Sequence, residues 1–426
     1  MTYGLIGEHL PHSYSKEIHE KIADYEYTLR ELTPEEVGPF MEAADFTAIN
    51  VTIPYKQTVM PYLASIHEAA QRIGAVNTVI RRDGLLYGYN TDFFGLTALL
   101  RHAGISIAGR KVLILGTGGT AKTARAVAEA EGARSILNVT RREGEGCVSY
   151  ADAVRLHGDA EIIFNTTPCG MHPYPDGAAH IAGTPIDISR FPVLCGVIDA
   201  VYNPLRTNLV MDSRARGIPA EGGLYMLVAQ AVLASRLFLG GSPEEANDPA
   251  LLAECDRIYA AVAAEKENIV LTGMPASGKS TVGRLLADRL HRPFIDLDEE
   301  IVKAAGKPIP TIFSEVGEAG FRALESEAVH RVTGYARGAV IATGGGAILR
   351  DENVRALARG GRIYFLDRPL DALIPTEDRP LSSTAEDIRR RYRERYDRYL
   401  MTADVTVPNA ADPDGAVQAI RKDFFK

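Results

Sequence analysis

Apolar residues in this chain gather into short runs that end in glycine or polar residues and alternate with helix-length segments. That is the layout of an α/β protein whose parallel strands are buried on both faces. In the N-terminal region YGLIG (3–7), EYTLRE (26–31), AINVTIP (48–54) and NTVIRRDGLLYGYN (77–90) read as strands. The last divides at Asp83-Gly84, a pair that tolerates the positive φ angles of a two-residue turn, so a hairpin is expected there. KVLIL (111–115), ARSILNV (133–139), EIIFN (161–165) and CGVIDAV (195–201) follow, with helical patterns between them, which predicts a doubly wound parallel sheet within 103–223. NIVLT (268–272) opens another region of the same kind. Ahead of it, Pro249 begins a helical stretch in which Leu251, Cys255, Ile258 and Val262 recur at spacings of four, three and four. Such a stripe docks against a surface, so this stretch is read as the closing helix of the preceding region, with the joint confined to 265–268.

At 426 residues the chain has room for about three modules. With 46% hydrophobic and 24% charged residues it is ordinary globular material. The net charge of -8 divides into -9 over residues 1–267 and +1 over the rest, which excludes a basic nucleic-acid binder. Cys147, Cys169, Cys195 and Cys255 lie 22, 26 and 60 residues apart, without the close pairs of zinc or redox motifs. The start lacks a basic segment before an apolar core, and the apolar run near 224–239 is interrupted by Gln230 and Arg236. A soluble, cytoplasmic protein without a membrane partner is expected.

Two glycine-rich strand-to-helix turns carry candidate chemistry. GMPASGKS (273–280) satisfies G-x-x-x-x-G-K-[ST] between the apolar NIVLT and a helical TVGRLLADRL. Gly273 and Gly278 permit a tight loop whose amides, from Ala276 and Ser277 on to Thr281, face phosphate. Lys279 reaches the β and γ phosphates, and Ser280 ligates Mg²⁺. A nucleoside triphosphate and Mg²⁺ are therefore expected. GTGGTA (116–121) fits the dinucleotide pattern, with Gly116, Gly118, Gly119, Thr120 and Ala121 near a pyrophosphate. After the next strand come Asn138, Val139, Thr140, Arg141 and Arg142, with no carboxylate for a ribose diol. Two cations beside amide and hydroxyl groups favour a 2′-phosphate, hence NADP(H), bound by Asn138, Thr140, Arg141 and Arg142.

The remaining motifs of the second half, FIDLDEEI (294–301), GEAGFRALE (317–325), ATGGGAIL (342–349), DRPL (378–381) and RYDRYLMTAD (395–404), resemble shikimate kinases in content and order. The resemblance implies that Asp296 helps hold hydrated Mg²⁺ and that Asp298 orients and deprotonates the accepting hydroxyl. It implies that Arg322 and Arg395 clamp the shikimate carboxylate, a task suited to the planar guanidinium. Gly344, Gly345 and Gly346 would offer backbone amides to the substrate hydroxyls, and Arg379 would act from a lid over the transferring group. The stretch 367–381 departs from the pattern, being several residues short and lacking a further arginine.

Over nearly all of 1–263 the chain resembles shikimate dehydrogenases, through GLIGEHLPHSYS (4–15), NVTIPYK (50–56), GAVNT (74–78), NTD (90–92), NTTPCGM (165–171), YNPLRT (202–207) and GGLYMLVAQA (222–231). The resemblance implies that Ser13 and Ser15 bind the substrate carboxylate and that Thr52, Asn77 and Gln230 bind its hydroxyls. Lys56 would be the general acid/base with Asp92 as its partner, a pairing that supplies a proton and a positive field to a forming alkoxide. Tyr202, Gly223 and Met226 would line the nicotinamide end. Val139 stands where relatives often have arginine, which leaves the phosphate contact to Arg141 or Arg142.

Together these readings imply a fusion of the aromatic biosynthetic route, with 3-dehydroshikimate and shikimate as its small-molecule substrates. The expected division is a substrate-binding α/β domain at 1–102, completed by helices at 224–264, a Rossmann domain at 103–223 and a P-loop kinase domain at 265–426. Two rivals stand beside it: a quinate/shikimate dehydrogenase joined to a kinase for another alcohol, and a dehydrogenase whose kinase-like half only binds nucleotide in a regulatory role.

Overall fold

The structure, a computed structural model, describes residues 2–10, 13–141, 146–172, 183–374, 384–409 and 412–426. Arg142 and Arg379 lie outside the described residues. The chain divides into two compact units, Met1–Val262 and Ala263–Lys426.

In the first unit β1 (Tyr3–Gly7), β2 (Tyr27–Glu31), β3 (Ala48–Val51), β4 (Ser65–Ile66), β5 (Thr78–Arg82) and β6 (Leu85–Tyr89) form a sheet in the order β2-β1-β3-β5-β6-β4. The expected hairpin is β5–β6: Arg82 pairs with Leu85, and Asp83 and Gly84 adopt φ of 51° and 78°. Two positive φ values in a row give the turn whose hand matches strand twist.

The second sheet contains β7 (Lys111–Leu115), β8 (Ser135–Thr140), β9 (Cys147–Ser149), β10 (Ile162–Asn165), β11 (Gly196–Asp199) and β12 (Ala220–Glu221), all parallel, in the order β12-β11-β10-β7-β8-β9. This is the doubly wound Rossmann order, with its switch point between β7 and β10, where a crevice opens at the strand ends. The helix Leu224–Phe238 then returns to the first sheet, packing Ala234, Leu237 and Phe238 against Leu5, Tyr27, Ala48 and Ile80. The following helix, Pro249–Lys266, buries Leu251, Cys255, Ile258 and Val262, the stripe read from spacing. The Tyr225 hydroxyl donates to Asp256 on that helix at 2.7 Å.

The second unit is built on β13 (Asn268–Thr272), β14 (Phe294–Asp296), β15 (Val340–Ala342), β16 (Gly361–Asp367) and β17 (Val405–Pro408), parallel throughout in the order β14-β15-β13-β16-β17. Alternation along the central β13 puts Ile269 and Leu271 into one core with Val282 and Leu286, and Val270 into the other with Val329 and Val332. Both faces are therefore covered, and the strand ends carry the site. Among the described residues no helix is long and apolar enough to cross a membrane.

Candidate active sites

A cleft of about 950 Å³ in the first unit is lined by Ser13, Ser15, Thr52, Lys56, Asn77, Asp92 and Gln230 from the first sheet and its returning helix, and by Thr120, Thr166, Thr167 and Tyr202 from the second. Lys56 follows β3, while Asp92 opens the helix Asp92–His102, where the positive end of the helix dipole favours a carboxylate. The two meet at 2.5 Å, Lys56 Nζ to Asp92 Oδ2, with side chains only 17% and 12% exposed. Asn77 Nδ2 donates to the other carboxylate oxygen at 2.9 Å. The Thr91 amide donates to Asn77 Oδ1 at 2.8 Å, and Gln230 is drawn in through Thr91 Oγ1 at 3.4 Å. Ser13 accepts from the Ser15 amide at 3.2 Å, just where the helix Ser15–Ile22 begins. Gly7 allows Thr52 to approach, since a Cβ there would sit 2.6 Å from Thr52 Cγ2. Tyr202 lies against Tyr14 with ring centres 5.3 Å apart, and burial pushes its hydroxyl up to about 12.

On the nucleotide side, Gly116 takes φ 110° at the end of β7, and the helix Gly119–Ala130 begins without a side-chain cap. Its first amides remain suited to a pyrophosphate, as the glycine pattern anticipates. Asn138 is held internally: its Oδ1 accepts from Arg125 Nε and Nη2 at 3.1 and 2.5 Å, and its Nδ2 donates to the Gly116 carbonyl at 2.8 Å. Strand alternation turns Val139 into the core beside Leu115 and Leu113, fully buried, so a cation there would be desolvated rather than presented to a phosphate. Thr140 ends β8, and Arg141 follows it in an exposed position. Gly223 and Met226 are not among the cleft-lining residues; that stretch contributes Leu227 and Gln230. A Cβ on Gly223 would collide with the Ala200 carbonyl, so its glycine serves close packing.

In the second unit the phosphate loop follows β13, with positive φ at Gly273, Ala276 and Gly278. The helix Lys279–Leu290 begins without a side-chain cap, so the amides from Lys279 through Ser280 and Thr281 open its first turn. Lys279 Nζ folds back onto the Gly273 and Met274 carbonyls at 3.0 and 2.9 Å. Ser280 Oγ donates to Asp296 Oδ2 at 2.6 Å. These two hard oxygen donors beside a phosphate loop fit Mg²⁺, which keeps several waters and takes few protein ligands. Asp296 also caps the helix Leu297–Ala305 by accepting from the Asp298 amide at 3.0 Å, which fixes Asp298 relative to it.

The glycine loop joins the rest. A Cβ on Gly344 would lie 2.6 Å from Glu325 Oε1 and 2.9 Å from Asp298 Oδ1, and one on Gly346 would fall inside the Arg322 guanidinium. Only glycine lets the backbone come this close to all three side chains. Arg322 Nη1 donates to the buried Glu325 at 2.8 Å and its Nη2 to Glu318 at 3.3 Å. Burial raises the Glu325 carboxyl above its ordinary value, opposed by Arg322. Arg395 Nη1 and the Tyr399 hydroxyl both donate to the Gly345 carbonyl, at 3.2 and 2.5 Å.

Sequence reasoning missed Arg125, Thr166, Thr167, Glu325 and Tyr399. Thr166 and Thr167 stand inside the quoted NTTPCGM and Glu325 ends GEAGFRALE, so motif membership was the available signal. Arg125 carried none, being an ordinary cation on a helix until the fold set it against Asn138.

Residues 5–79 match the family described as shikimate dehydrogenase substrate binding domain, and residues 275–424 match the shikimate kinase family. A shikimate dehydrogenase (NADP(+)) from Clostridium perfringens is 36% identical over 56% of this chain and 92% of that relative. The crystal structure of shikimate dehydrogenase 1 from Peptoclostridium difficile aligns with a TM-score of 0.53 at 32% identity, over 62% of this chain and 98% of that one. A Thermus thermophilus shikimate 5-dehydrogenase, solved in complex with NADP(H) and shikimate, aligns with a TM-score of 0.50 at 27% identity, over 61% of this chain and all of its own. With a cleft that gathers the dehydrogenase motifs and a second unit that gathers the kinase motifs, the chain belongs to the shikimate dehydrogenase family and carries a shikimate kinase domain behind it.

Proposed function

We propose that this chain catalyses two consecutive reactions, the NADPH-dependent reduction of 3-dehydroshikimate to shikimate and the ATP-dependent phosphorylation of shikimate to shikimate 3-phosphate. The observation that carries the reading is the Lys56–Asp92 pair, set at 2.5 Å inside a cleft whose far wall is the nucleotide half of the unit. NADPH, when bound, supplies hydride to the substrate carbonyl carbon. The Lys56 ammonium then gives its proton to the developing alkoxide, and Asp92 holds that lysine in place. Asn77 orients Asp92 and, with Thr52 and Gln230, accepts or donates to the ring hydroxyls, while Ser13 and Ser15 hold the carboxylate. Gly116, Gly118, Gly119, Thr120 and Ala121 cradle the pyrophosphate, with Arg141 on the 2′-phosphate side. The name of the Clostridium relative and the ligands of the Thermus structure support this cofactor and substrate.

In the second unit MgATP supplies the phosphoryl group. Ser280 and Asp296 would hold the metal, Lys279 would move onto the β and γ phosphates, and Asp298 would take the proton of the attacking hydroxyl. Arg322 and Arg395 face the acceptor carboxylate. The division proposed is 1–102 with 224–264 for substrate, 103–223 for NADP(H) and 265–426 for the kinase.

A coupled assay tests this: 3-dehydroshikimate with NADPH or NADH, followed by MgATP and quantification of shikimate 3-phosphate. Lys56→Ala should lower reduction by about 10²–10⁴-fold and leave phosphorylation of added shikimate intact, whereas Lys279→Ala should do the reverse. Reduction without shikimate-dependent ADP release would make the second unit a nucleotide-binding module and overturn half the proposal.

A further inference from the structure

Asn165 and Asp199 end the adjacent parallel strands β10 and β11, where they are register partners, and both are fully buried. Each stands two residues after an apolar side chain of the core, Ile163 and Val197, so strand alternation asks for an apolar residue at both positions. A polar pair buried there has to be hydrogen-bonded, and its bonds lead out to the cleft. Asp199 Oδ2 accepts from Thr207 Oγ1 at 2.7 Å, while Oδ1 accepts from the Val201 amide at 3.0 Å and from Asn165 Nδ2 at 2.9 Å. With the Val201 amide donating to it, Oδ1 can only accept, which fixes the end of Asn165 that faces it. The Asn165 nitrogen therefore turns to Asp199 and to the Cys169 carbonyl at 3.2 Å, leaving Oδ1 to accept from the Thr167 amide at 3.1 Å and the Thr167 hydroxyl at 2.6 Å. Thr167, Val201 and Tyr202 line the cleft, so one buried carboxyl group ties down both loops on its nucleotide side.

We propose that Asp199 is a positioning residue for the nicotinamide half of NADP(H): through Asn165 and the Val201 amide it sets the loops that carry Thr167 and Tyr202, and with them the affinity for that half alone. The inference rests on the NADP(H) reading above and adds to it the residue behind the cleft wall. In the sheet order β12-β11-β10-β7-β8-β9, the ends of β10 and β11 lie on one side of β7 and the end of β8 on the other. A dinucleotide whose pyrophosphate rests on the loop after β7 would send its two nucleosides opposite ways, the phosphorylated adenosine toward the end of β8 and the nicotinamide into the cleft with Lys56 and Asp92. The Thr167 hydroxyl hydrogen is spent on Asn165, so its oxygen meets that cleft as an acceptor. Without Asp199 the Asn165 amide is free to turn, and Thr167 loses the acceptor that orients it.

The test measures calorimetrically the binding of NADP⁺ and of adenosine 2′,5′-bisphosphate, which carries the phosphorylated adenosine and no nicotinamide. It uses the full chain as wild type, Asp199→Leu and Asp199→Asn, each shown by circular dichroism to be folded at the temperature of the titration. Asp199→Leu should raise Kd for NADP⁺ about 10- to 100-fold, as expected when buried donors lose their acceptor, and change Kd for the bisphosphate by less than about threefold. Asp199→Asn keeps an oxygen for Asn165 and Val201, and should bind both ligands within about threefold of wild type. An unchanged Kd for NADP⁺ in Asp199→Leu, an equal rise for both ligands, or an Asp199→Asn as weak as Asp199→Leu would overturn the assignment. If Asp199→Leu fails to fold, Asn165→Ser cuts the same connection at its middle and decides by the same ratio of the two Kd values. Wild type that binds neither ligand would instead overturn the NADP(H) reading and this inference with it, a result distinct from a wild type that binds both and a variant that follows it.

Discussion

Asp199 closes β11 beneath the cleft and is completely buried. Its carboxylate accepts from Asn165 Nδ2 at 2.9 Å, the Val201 amide at 3.0 Å and Thr207 Oγ1 at 2.7 Å. Those donors do not offset the loss of solvent, and burial pushes its carboxyl up from 3.8 to about 7. A carboxyl raised in the folded state binds its proton more tightly there than in the unfolded chain. Its contribution to stability is therefore complete below pH 3.8 and is lost as pH rises through about 7. Integrating between those two values, wild type should lose roughly 2.5 kcal/mol from this group between pH 5 and pH 8. Asp199→Asn has the same shape and no charge, and the Thr207 hydroxyl can rotate to accept from the new amide. The difference in stability between variant and wild type should thus swing in favour of the variant by that amount across the range. For a unit of this size it corresponds to roughly 5–10 °C in the midpoint. Thermal unfolding from pH 5 to pH 8, followed on the transition that moves when shikimate and NADP⁺ are added, measures it. Parallel pH profiles for the two proteins would refute the reasoning and mean that the three donors fully stabilise the charged form.

Two further outcomes follow from close contacts elsewhere. Gly346→Ala places a Cβ inside the Arg322 guanidinium, so Arg322 must leave Glu325; KM for shikimate in the kinase assay should rise by at least about tenfold with reduction unaffected, and an unchanged KM would show that the loop yields instead. His19 is buried between Tyr27, at a ring distance of 4.0 Å, and Phe238, and burial pulls its imidazole down from 6.5 to about 3. Its neutral form is the folded one, so stability present above pH 6.5 is lost as pH falls towards 3, by roughly 3 kcal/mol between pH 7 and 4. His19→Phe keeps the stack, and its acid unfolding, measured by circular dichroism, should set in at lower pH than that of wild type.

Much of this protein could be read from contiguous residues. Strand runs such as KVLIL and NIVLT, the Asp83-Gly84 turn, the docked stripe of Leu251, Cys255, Ile258 and Val262, and the loop GMPASGKS are local patterns. In each the chemistry and the conformation are set by neighbours a few positions apart, so periodicity and positive-φ tolerance suffice to read them. What lies opposite a residue is a different matter, because it depends on sheet order and helix packing between segments far apart in the chain. Val139 adjoins Asn138 in sequence but faces the other side of β8, into the core. Arg125 became a partner of Asn138 only when its helix crossed the end of that strand. Lys56 and Asp92, 36 residues apart, became one ion pair, and Arg391 and Arg395 were distinguished from their neighbouring arginines by which face of the helix was buried. Sequence alone determined the elements and the chemical repertoire; the tertiary structure decided which charges are desolvated and paired, since both depend on the distance between groups that only the fold brings together.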